Sequence, residues 1–182
     1  AGSGEFIAIM GRSGAGKSTL LYQMSLLDDP TSGEIMIDGQ RAANMSGEEK
    51  TNFRLFNCGY VFQDYALLPE LTTLENVVLP LLMQKIEKPK AYDKAKEALL
   101  KVGLSHRFDN LPSQLSGGEQ QRVSIARAIC HKPKILFADE PTANLYNESS
   151  AKIMEIFTGL HKEGQTIIMV THEEPYSQMA EK

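Results

Sequence analysis

The chain reads as an α/β protein, a mainly parallel sheet flanked by helices with an inserted helical subdomain. Three observations predict this. Short apolar runs rich in β-branched and aromatic residues recur without polar alternation, as in strands covered on both faces. Helical apolar spacing fills the gaps between them. One stretch, 64–114, carries helical pattern and no clear strand, so it reads as an insertion.

Taken in order, strands are expected at 6–10, 35–37, 60–62, 135–138 and 167–170. The first helix, 17–27, follows a glycine-rich loop. The second, 46–56, opens Ser46-Gly47-Glu48-Glu49, with Ser46 as N-cap and Glu49 at the capping-box position. The third, 93–102, puts Ala95, Ala98, Leu99 and Val102 on one face and stops before Gly103. The fourth, 117–130, turns Val123, Ile125, Ala126 and Ile129 inward, and Ser116 suits its N-cap. The fifth, 148–161, does the same with Ile153, Ile156, Phe157 and Leu160 and stops at Gly164. A charged helical stretch, 173–182, ends the sequence, and Lys85 to Lys90 reads as a solvated loop.

Composition narrows the function classes. At 42% hydrophobic and 23% charged, the 182 residues can enclose a core without disulfide staples. Nineteen basic against 23 acidic residues leave a net charge of −4, which argues against a general attraction to nucleic acid. No apolar run approaches the ~18 residues of a membrane span. Two cysteines, Cys58 and Cys130, make no disulfide framework, so a reducing, cytoplasmic setting is expected. His131 beside Cys130 lacks a second ligand pair at zinc spacing.

Gly11-Arg12-Ser13-Gly14-Ala15-Gly16-Lys17-Ser18 matches G-x-x-x-x-G-K-[ST], between an expected strand and an expected helix. Glycines let backbone wrap a phosphate without Cβ collisions. Loop amides and a helix N-terminus then present donors to an anion. Lys17 brings an ammonium to the β/γ-phosphates, Ser18 a hydroxyl to Mg²⁺, and Thr19 a bond to the α-phosphate. A plain strand-to-helix turn needs no lysine there. Further on, Ile135-Leu136-Phe137-Ala138 leads into Asp139-Glu140. Ligands of open α/β sheets sit beyond the strands' carboxyl ends. Asp139 is thus placed to hold Mg²⁺ through water, and Glu140 to deprotonate an attacking water.

Leu115-Ser116-Gly117-Gly118-Glu119-Gln120-Gln121-Arg122 resembles the LSGGQ signature of ABC-type ATPases, with Glu119 where glutamine is most usual. Tyr60-Val61-Phe62-Gln63 resembles the family's Q-loop and Val170-Thr171-His172 its switch-histidine segment, both in family order. The resemblance covers nearly the whole chain and implies a P-loop NTPase (RecA-like) fold. Residues 1–63 and 115–182 would form the ATP-binding core and 64–114 the helical subdomain. The segments Phe62-Gln63-Asp64-Tyr65-Ala66-Leu67-Leu68-Pro69 and Asp139-Glu140-Pro141-Thr142-Ala143-Asn144-Leu145 resemble the lipoprotein-release, macrolide-exporter and FtsE-like branch.

The resemblance implies ATP and Mg²⁺ as ligands. It also implies head-to-tail pairing with a second nucleotide-binding domain, expected as a homodimer, and a transmembrane permease subunit as partner. Nucleic-acid binding and direct membrane insertion are not expected, and the place expected is the inner face of the cell membrane. Ser116, Gly117 and Gly118 would contact the γ-phosphate of the partner's ATP. Gln63 would touch Mg²⁺ or the lytic water, and His172 would hold the γ-phosphate and polarise the water or Glu140. Leu67, Leu68 and Leu71 would divide between core and a groove for a permease helix.

Two departures stand out. The family's D-loop usually ends in aspartate, where this chain has Tyr146 after Asn144-Leu145. Strands and an adenine-stacking aromatic usually precede the phosphate loop, and this sequence begins too late to include them. Both leave open an alternative function, a nucleotide-dependent interaction module with weak or no hydrolysis.

Overall fold

The computed structural model describes residues 1–12, 14–37 and 39–182. Its main sheet has four parallel strands: β1 (Phe6–Met10), β4 (Cys58–Val61), β5 (Ile135–Asp139) and β6 (Thr166–Thr171), in the order β1-β6-β5-β4. Register pairs Tyr60 with Phe137 and Asp139 with Val170. Because the strands are parallel, Met10, Val61, Asp139 and Thr171 all end at one edge. The loops that follow them therefore converge.

Helices cover both faces. On one, α3 (Thr73–Met83), α4 (Lys88–Lys101), α5 (Gly117–Ile129) and α6 (Asn147–Lys162) enclose a core with Phe6, Val61, Leu136, Ala138, Ile167 and Met169. On the other, Leu21 of α1 (Lys17–Met24) packs with Phe137, Ile168 and Val170, joined by Phe53 of α2 (Gly47–Asn57). A short helix, α7 (Glu174–Ser177), follows β6. The expected capping box of α2 is present, with Ser46 Oγ accepting from the Glu49 amide and Glu49 from the Ser46 amide. Among the described residues no helix is long and apolar enough to cross a membrane.

Several elements differ from the sequence reading. The run 35–37, expected as a buried strand, is instead an exposed two-residue strand, β2 (Met36–Ile37), paired antiparallel with β3 (Gln40–Arg41). The pair forms a two-stranded sheet separate from the main one, and Met36 is 53% exposed. Phe62 lies beyond the end of β4. Helix α4 begins at Lys88, not at 93, with Pro89 in its first turn, so the solvated loop stops short of Lys90. Proline suits that turn because its missing N–H is unbonded there anyway. Helix α3 falls in the stretch read as helical, around the apolar run that ends at Met83, and contains Pro80.

Candidate functional site: a cavity at the strand ends

The loop after β1 folds over the start of α1. Gly14 and Gly16 have φ of +79° and +84°, the left-handed region that disfavours a side chain. Gly16 is also the N-cap of α1, which has no side-chain cap and no acidic residue in its first turn. By contrast, α2, α3 and α5 each carry a capping box. The first-turn amides of α1 thus keep their donors for an external anion. Lys17 contacts the Arg12 carbonyl at 3.3 Å and Glu140 at 3.5 Å, both charged side chains being about nine-tenths buried.

Loops from the four strand ends meet in one cavity of about 1060 Å³. Of the residues singled out from sequence, Gly11, Gly14, Gly16, Lys17, Ser18, Thr19, Gln63, Glu140 and His172 line it. The reading missed Met10, Arg12 and Ala143, which line it too and carry no motif signal of their own. Ala15 is held in the loop by the hydrogen bond its N–H donates to the Arg12 carbonyl, and Ser13 lies outside the described residues. Ser116, Gly117 and Gly118 stand apart, at the start of α5. Ser116 is exposed there, while Gly117 is partly buried and Gly118 buried.

Asp139 lies just behind the loop, accepting a 2.9 Å hydrogen bond from Ser18 Oγ. Burial raises its pKa, against the Ser18 bond, and the neighbouring Glu140 raises it further. Ser18 and Asp139 offer hard oxygen donors. Among the described residues no cluster of three or more His, Cys, Asp or Glu could itself enclose a metal ion. A cation that keeps waters and shares phosphate oxygens, as Mg²⁺ does, fits such a sparse donor set. The buried thiols of Cys58 and Cys130 are pushed up to about 12, far from thiolate ligands.

Glu140 is the most constrained residue of the site. Its φ is +45°, unusual for a residue with a side chain, and its amide donates to the Val170 carbonyl at 2.9 Å. One carboxylate oxygen faces Lys17, and the other lies 2.8 Å from His172 Nδ1. The His172 amide points at the same oxygen from 3.3 Å. This arrangement fixes both carboxylate orientation and imidazole orientation at the cavity wall. Tyr146, the departure in the D-loop segment, is 91% exposed just before α6. Leu67 packs against the core, Leu68 is exposed, and Leu71 is partly buried.

Comparisons with known proteins agree with this geometry. A family model described as ABC transporter matches residues 1–143. An ABC transporter ATP-binding protein of Methanocaldococcus jannaschii is 50% identical over 179 residues, 98% of this chain and 80% of its own length. The lipoprotein-releasing system ATP-binding protein LolD of Aquifex aeolicus is 43% identical over 179 residues, with the same coverage of each chain. A solved dimeric, post-hydrolysis structure of the ATP-binding cassette MJ0796, bound to ADP and Pi, superposes with a TM-score of 0.90 at 42% identity. That match covers 99% of this chain and 80% of the other. The parallel sheet, its loop set and these relatives together establish that the chain belongs to the ABC transporter family, as an ABC-type ATPase cassette.

Proposed function

We propose that this cassette powers a transmembrane permease from the cytoplasmic face of the membrane by pairing head to tail with a second copy of itself around ATP. Residues 1–63 and 115–182 act as the ATP-binding core, and 64–114 as the helical subdomain that meets the permease. The relatives' names support the transporter setting, and the dimeric state of the superposing cassette supports the pairing.

The observation that carries the reading is the convergence of Lys17, Gln63, Glu140 and His172 on one cavity. The loop amides, from Gly11 through Gly16 with Ser13 and Ala15 among them, wrap the β-phosphate. Lys17 compensates charge on the β/γ oxygens, and Thr19 holds the α-phosphate. Ser18, Asp139 and Gln63 would hold Mg²⁺, which when bound neutralises charge on the phosphate oxygens. Glu140 takes the proton of the attacking water, and His172 orients that carboxylate through the 2.8 Å contact while facing the γ-phosphate. Ser116, Gly117 and Gly118 close over the γ-phosphate of the partner's ATP, using the amides at the start of α5. Only a nucleotide with its γ-phosphate makes all these contacts, so hydrolysis loosens the pair.

Steady-state turnover of Glu140→Gln tests the base. Removing a general base lowers the rate by roughly 10²- to 10⁴-fold. Turnover equal to the unsubstituted chain contradicts the assignment.

A further inference from the structure

We propose that Arg127 is a positioning residue for Gln63, holding the loop after β4 in a shape its own backbone resists. The inference rests on the reading of Gln63 given above. Tyr65 and Ala66, two and three residues beyond Gln63, have φ of +64° and +48°. Neither is glycine, and consecutive left-handed residues with side chains persist only where their surroundings impose them. Arg127 supplies that restraint. Its Nη1 donates to the Ala66 carbonyl at 2.6 Å and its Nη2 to the Tyr65 carbonyl at 2.9 Å. The planar guanidinium presents two donors in a fixed fork, which an ammonium does not. Burial draws the Arg127 pKa below the ordinary guanidinium value, so the side chain is largely withdrawn from water.

The same loop meets the rest of the protein at two further points. Asn144 Nδ2 donates to the Gln63 carbonyl at 3.1 Å, tying it to the segment after Asp139-Glu140. The Tyr65 hydroxyl lies only 2.9 Å from where a Cβ on Gly117 would stand, so a side chain there would displace the tyrosine ring. Arg127 is in the last turn of α5 and Gly117 opens that helix. The Gln63 loop is thus bonded to the last turn of the helix that begins at Ser116 and passes close to its first. Its geometry follows α5, and with it the reach of Gln63 into the cavity.

A double-mutant cycle tests this on the full chain. Arg127→Lys keeps the charge and loses the fork. It is expected to lower kcat between about tenfold and 10²-fold, as a displaced reacting group does, while the Kd for ATP and the melting temperature stay near those of the unsubstituted chain. Gln63→Ala combined with Arg127→Lys is expected to turn over no more slowly than Gln63→Ala alone, because the two act as one unit. Losses that multiply overturn the positioning role, as does an Arg127→Lys chain with unchanged kcat. Should the lysine variant melt early, Arg127→Gln in the same cycle gives the same reading. Unchanged turnover in Gln63→Ala alone removes the role of Gln63, and the proposal falls with it.

Discussion

Asp139 shows how a single residue here trades stability for chemistry. Its carboxyl is buried, accepts one hydroxyl bond, and sits beside a second carboxylate. A carboxyl with a pKa raised by folding binds its proton more tightly in the folded chain than in the unfolded one. It therefore opposes the fold increasingly as pH rises from its unfolded pKa through its folded one. Asp139→Asn keeps an oxygen for Ser18 and removes the charge. This variant is expected to melt higher than the unsubstituted chain at neutral pH without magnesium, and to lose the extra stabilisation that magnesium with ATP confers. Thermal melts with and without the cation read both effects. Of the residue-scale features, the Asp139-Glu140 pair and Lys17 were legible from motif and spacing. An interaction of His172 with Glu140 was implied by the family resemblance, whereas the left-handed Glu140 backbone was not legible, because it depends on β5 and β6 lying side by side.

At the scale of elements, α5 concentrates several demands. Glu119 accepts from the Ser116 amide and hydroxyl, completing the cap, and pairs with Arg107 at 2.9 Å. Burial works against this carboxylate, yet its Ser116 and Arg107 contacts hold its pKa below the usual range. In the proposed pairing, where this helix start would cover a phosphate, the Glu119 charge repels that anion unless it is compensated. Arg107→Gln is accordingly expected to weaken ATP-dependent pairing, and Glu119→Gln in the same chain to restore it. Pairing affinity measured by fluorescence or calorimetry checks the rescue. The helices with cap signals were readable, as Ser46 with Glu49 in α2 illustrates. The start of α4 was not, because Lys88, Pro89 and Lys90 carry no apolar spacing, although proline in a first turn could have marked it. The strand at 35–37 was misread because apolar residues without a length of strand to pair look the same in sequence as buried ones.

Across the whole molecule, four parallel strands put four loops at one edge, and the sheet is buried between helices on both faces. Alternating strands and helices made this architecture readable, whereas strand order is a property of long-range pairing that no local pattern contains. The same architecture separates the residues proposed to bind ATP. The phosphate loop, Gln63, Glu140 and His172 share one cavity, while the start of α5 at Ser116 stands outside it. In the proposed pairing a single chain would supply one half to each of two sites, and the exposed Tyr146 follows Glu140 in the segment that leads into α6. Sedimentation velocity of the Glu140→Gln chain, with and without ATP and magnesium, measures the consequence directly. Twice the monomer mass only when both are present is the predicted result. A chain that binds ATP yet sediments as a monomer at every protein concentration would contradict the account.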